Sequence, residues 1–212
     1  KKVILGGTAI TAIVGIGALL DITILAPRDV AALESYARVG DAHEDAAFLV
    51  GMNENPVRSE LDRVLADVLM RPMEDAERRS LAVRGKELLK VLETQIDAIG
   101  AREEDSARAL DVLSSSPLAL SDITHVGEIV RLGTIRAQLI ADIRGLSYRA
   151  NYHTAQIFDR ILAEEGALSA EHVASLNDDL PQVEEQFDRR SNLYVELEGV
   201  SLDMRKSLEV LK

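Results

Sequence analysis

Val3 to Leu20 form a run of eighteen residues without a charge, and Lys1 and Lys2 stand directly before it. A helix of that length crosses the roughly 30 Å hydrocarbon core of a bilayer. Asp21 ends the run, Ile22 to Ala26 carry apolar surface into the interface, and Pro27 breaks the helix. Paired lysines stay on the cytoplasmic side, so everything after Asp21 is expected outside. A cleaved signal peptide shares the basic start and apolar stretch but has a shorter apolar run. A buried core helix would need apolar walls on every side. The expectation is a single-pass anchor over residues 1–26 in the plasma (inner) membrane, with lipid around it and residues 27–212 in the periplasm. Within it Gly7, Thr11 and Gly15 make a strip of small side chains on which a second membrane helix could pack. Gly15-Ile16-Gly17 lacks the later glycine of a phosphate-binding turn.

After Pro27, turn signals divide the chain into four stretches of about forty residues, the matched lengths of a helix bundle. The first runs from Arg28 to about Met70, interrupted at Asn53-Glu54-Asn55-Pro56. The second covers Met73 to Ser114, and Ser114-Ser115-Ser116-Pro117 turns the chain. Ser121-Asp122 caps the third, which runs to Glu165 and closes at Gly166. The last begins at Ser169 and reaches Lys212, with a kink expected at Pro181.

Periodicity points the same way. Leu81, Leu88, Leu92, Ile96 and Ile99 form one apolar seam. In the third stretch Ile123, Val126, Val130, Gly133, Ala137 and Ile140 alternate steps of three and four. Ile143, Ser147, Ala150, Thr154, Ile157 and Ile161 resume after an extra step of three, which reads as a stammer. The fold class expected is all-α: a membrane helix followed by an elongated, coiled-coil-like, up-and-down four-helix bundle.

Composition excludes several functions. Aromatics are 3% of the chain and Trp is absent, so the core is aliphatic. A formal charge of −12 repels phosphate backbones, and no basic stripe offsets it, so nucleic acid is not expected as a partner. With no cysteine there are no disulfides, thiolate nucleophiles or thiolate metal sites.

Catalytic patterns are missing too. His43, His125, His153 and His172 are scattered without zinc spacing and are expected to be exposed or capping residues. Glu103-Glu104-Asp105, Asp178-Asp179 and Glu184-Glu185 lack the spacing of a calcium loop and suit solvated faces or helix starts. No serine elbow, phosphate loop or kinase signature appears. The expectation is a protein that is not an enzyme and uses no cofactor or metal.

One cluster stands out: Arg144, Tyr148, Arg149, Tyr152 and His153 bring two of the four tyrosines together with two arginines. Arg144, Tyr148 and Tyr152 share a helix face, with Arg149 and His153 on the adjacent one. Arginine forks and tyrosine rings suit a partner protein or a small anionic ligand. The plainer alternative is a bundle edge paired with acidic neighbours.

A basic start, one membrane helix and four matched long helices resemble the extracytoplasmic sensor region of bacterial chemoreceptors and sensor histidine kinases. That resemblance implies ligand or partner sensing, with a second membrane helix and a signalling module beyond Lys212. Since the sequence stops at Lys212, the reading preferred from sequence is a structural or assembly subunit of a cell-envelope complex. It would pair with other subunits or with itself, and receptor sensing is the alternative.

Overall fold

The computed structural model describes residues 27–51, 55–115, 126–164 and 167–210. The anchor segment, Lys1, Lys2, Gly7, Thr11 and Gly15, the Ser121-Asp122 cap and Gly166 lie outside them. The described chain is all-α, a helical bundle: α1 (Pro27–Gly51), α2 (Pro56–Met70), α3 (Asp75–Ser114), α4 (Val126–Ala163), α5 (Ala170–Leu176), a 3-10 turn (Asn177–Asp179) and α6 (Leu180–Val210). Among the described residues no helix is long and apolar enough to cross a membrane.

The helix ends have local causes. Asn55 caps α2, its side chain accepting from the Val57 and Arg58 amides, and Pro56 follows at a position that needs no amide donor. At the other end the buried Arg78 guanidinium donates to the carbonyls of Val68 and Arg71, placing positive charge where the α2 dipole is negative. Ser169 caps α5 by accepting from the His172 amide. The kink expected at Pro181 takes the form of a 3-10 turn, because proline lacks the amide and its ring clashes with the carbonyl four residues back.

The stammer expected in the third stretch is not present. Val126, Gly133, Ile140, Ser147, Thr154 and Ile161 are all buried at steps of seven, and so are Ile129, Arg136, Ile143, Ala150 and Ile157. The heptad is therefore unbroken through α4. The half-buried apolar residues Val130 and Ala137 imitate a different phase, while the true core position beside them is filled by Arg136. The same repeat buries Arg78, Gly85, Leu92, Ile99, Ser106 and Leu113 on α3, and Val183, Arg190, Leu197 and Met204 on α6.

The chain divides into two compact units. The first collects the described residues up to Glu44, Ala101–Gln138 and those from Leu197 onward. Its core joins Leu33 and Tyr36 of α1, Leu113 of α3, Val126, Ile129 and Leu132 of α4 and Met204 of α6. The second comprises Asp45–Gly100 and Leu139–Glu196. It buries Leu61, Leu65 and Val68 of α2 against Leu88 and Leu92 of α3, Ile157, Phe158 and Ile161 of α4, and Leu176 of α5. In that unit α3 and α4 run antiparallel: Lys86 pairs with Asp159, and Tyr148 donates to Asp97 further along.

Candidate functional site

On α1 the buried row is Leu33, Tyr36, Gly40, His43 and Ala47, at alternating steps of three and four, which turns one polar ring, a glycine and one imidazole inward. His43 is 0% exposed, unlike the exposed or capping role expected of it. Its Nε2 lies 2.9 Å from Oε2 of Glu103, at an inner position of α3. Arg136, 2% exposed at its core position of α4, donates from Nη2 to the Gly40 carbonyl at 2.6 Å and hydrogen-bonds the Tyr36 hydroxyl. Burial raises the pKa of Tyr36 above its ordinary value, and the Arg136 charge offsets part of the rise.

Beside this cluster a cleft of about 220 Å³ opens in the first unit, lined by Tyr36, Glu103, Ser106, Leu110, Asp111 and Arg136 among others. Ser106 Oγ and Arg136 Nε are buried polar atoms without a protein hydrogen-bond partner. A buried donor left unmet costs about 1 to 3 kcal/mol, so this corner of the bundle carries polar atoms that its own packing does not satisfy. Three helices, α1, α3 and α4, line it, and the arrangement can hold a small polar molecule. Among the described residues no three His, Asp or Glu side chains group as metal ligands would.

The cluster expected from sequence is split between two surroundings. Arg144 lays its guanidinium over Gly100, where a Cβ would collide with it. Tyr148 donates to Asp97, and its pKa is raised first by burial and then by that bond. These two brace α4 against α3. Arg149 and Tyr152 remain exposed, Tyr152 at 60%, and His153 meets the Tyr152 ring edge-on at 5.6 Å. Of the remaining histidines, His172 lies 3.5 Å from Glu164, and His125 is outside the described residues.

Sequence reasoning missed Tyr36, His43, Glu103 and Arg136 as a group. The available signal was polar residues falling on the heptad's inner positions, where an apolar residue is the rule. No protein family, curated protein or solved structure matches the chain.

Proposed function

We propose that this chain is a membrane-anchored, non-enzymatic sensor whose periplasmic helices form an up-and-down four-helix bundle on a single anchor at residues 1–26. In this reading the cleft beside Tyr36 and Arg136 receives a small polar ligand. The observation that carries it is the cleft itself: room for a small molecule, with buried donors on Ser106 and Arg136 that have no protein acceptor. A purely structural bundle gains nothing from such a corner, since apolar residues at those positions would pack more stably. Ligand contacts with α1, α3 and α4 at once would shift the balance between two packings of those helices, which is how a bundle passes a signal.

The test is thermal unfolding of the full chain against a panel of small polar metabolites. A saturable rise with one compound, abolished by Thr134→Trp at the cleft lining, supports sensing there. No rise across the panel, or a rise that survives Thr134→Trp, rejects it.

The second reading, an assembly subunit of an envelope complex, is favoured by Val195 and Leu202, exposed at 72% and 51% and seven residues apart on α6. Val195→Glu together with Leu202→Glu should then release co-purifying subunits or lower the oligomer mass. For either reading, protease added to spheroplasts should digest the part of the chain beyond Asp21. Digestion only after lysis would remove the periplasmic placement.

A further inference from the structure

In the second unit two of the buried arginines, Arg58 and Arg190, lie close together with one carboxylate for the pair. Arg58 and Arg190 are 4% and 7% exposed, and both stack on Phe187, their guanidinium carbons 3.7 and 4.6 Å from the ring centre. Arg58 has a counter-charge in Asp62, 2.8 Å away on the solvent side. Arg190 has no salt bridge among the described residues. Its Nη1 donates a long 3.4 Å hydrogen bond to Ser147 Oγ, and its Nε has no partner. Asn151, 2% exposed beside it, likewise offers an Nδ2 without an acceptor.

These groups face one gap, lined by Arg58, Arg190, Ser147 and Asn151 and closed by Leu92 and Ile96. The charged groups around it are both cations, and no carboxylate lines it. A ring quadrupole steadies a guanidinium but carries no net charge, so Phe187 leaves Arg190 uncompensated. Buried charges in proteins are paired or bind an ion.

We propose that this gap is an anion site, filled by a small monoanion of halide or formate size that supplies the counter-charge Arg190 lacks. As packed, the gap is too narrow for a water molecule, so the anion enters as Arg190 releases Ser147 and draws back. The weak Ser147 bond and the long side chain make that the cheapest movement available. Sulfate and gluconate are bulkier than a halide and need a wider opening than one withdrawn side chain gives. In agreement, the Arg190 pKa is lowered to about 10, first by burial and next by the charge of Arg58.

The test uses the full chain, with chloride exchanged for gluconate at constant ionic strength. Tm should rise saturably with chloride, and the 35Cl resonance should broaden with protein and sharpen again as formate competes. Arg190→Met should lose both responses while unfolding in gluconate no earlier than the native chain. Asp62→Asn, at a half-exposed position, should raise chloride affinity several-fold by uncovering Arg58. Identical Tm curves in chloride and gluconate would overturn the proposal, as would a native chloride response in Arg190→Met. If Arg190→Met does not fold, Asp62→Asn decides: unchanged or weaker chloride affinity rejects the site.

Discussion

The Tyr36 hydroxyl occupies the space that a Cβ on Gly133 would need, so the approach of α1 to α4 depends on a hydrogen at that position. A methyl there would also stand 3.0 Å from Tyr36 Cζ and 2.9 Å from Leu110 Cδ1. Tyr36 is buried and held by Arg136, which leaves its ring little room to retreat. Gly133→Ala should therefore destabilise the chain by about 1 to 3 kcal/mol in urea unfolding, despite the better helix propensity of alanine. Tyr36→Phe removes the nearest atom, so the same substitution should cost less in that background. Equal losses in both backgrounds would show that the two residues are not coupled.

Much of the fold was legible in the sequence because its signals are local. Asn55-Pro56 and Ser169 start helices, and Leu88, Leu92, Ile96 and Ile99 are buried on one face as their spacing implies. The polar interior was not legible, since its partners are distant in sequence: Arg136 and Gly40 are 96 residues apart, and Arg190 and Ser147 are 43 apart. Arg136 also hid the heptad, because an arginine at a core position breaks the apolar count and invites a false change of phase. Tyr148 illustrates the other limit. By spacing it shares a helix face with Arg144 and Tyr152, yet only the fold shows that Asp97 lies opposite and makes it a brace while Tyr152 stays exposed.

Two glycines on α3 should respond oppositely to alanine. At Gly85 a Cβ would press into the Phe158 ring, a rigid side chain that is fully buried, so Gly85→Ala should cost about 1 to 3 kcal/mol. At Gly100 the obstructing group is the Arg144 guanidinium, the mobile end of a half-buried side chain. Gly100→Ala should be tolerated and, by propensity, gain up to about 1 kcal/mol. Chemical unfolding of both variants checks the contrast; a larger loss at Gly100 than at Gly85 would contradict it.

Alkaline unfolding should report on Tyr194. Burial pushes its pKa from 10.0 up to about 12, and its hydroxyl donates to the Ala47 carbonyl at 2.9 Å. The folded state holds the phenol proton more tightly than the unfolded state, so this contribution is complete below pH 10 and disappears as pH rises toward 12. Arg190 acts with the opposite sign, because the folded state releases its proton first, above about pH 10. The difference between the native chain and Tyr194→Phe reports the tyrosine together with its charge coupling to Arg190. At neutral pH the variant should lose about 0.5 to 1.5 kcal/mol for the missing hydrogen bond, and its stability should fall less between pH 10 and 12. Parallel stability profiles across that window would rule the tyrosine out.

Asn55 performs two tasks that substitution can separate. Its Oδ1 accepts from the Val57 and Arg58 amides at 3.0 and 3.4 Å, while its Nδ2 donates to Gln95 Oε1 on α3 at 3.0 Å. Asn55→Ala removes the cap and leaves the Gln95 amide facing a gap, so a loss of about 2 kcal/mol is expected. Asn55→Asp keeps the acceptor and adds a negative charge at the positive end of α2, which favours the cap. It loses the donor, but a half-turn of the Gln95 amide presents Nε2 to the new carboxylate and restores a hydrogen bond. Asn55→Asp should therefore stay within about 1 kcal/mol of the native chain, and Gln95→Glu should be tolerated alone but not beside Asn55→Asp, where two carboxylates would meet. Urea unfolding of the three single variants and the double variant separates these terms. An Asn55→Asp loss as large as that of Asn55→Ala would mean that the bridge to Gln95, rather than the cap, holds the start of α2.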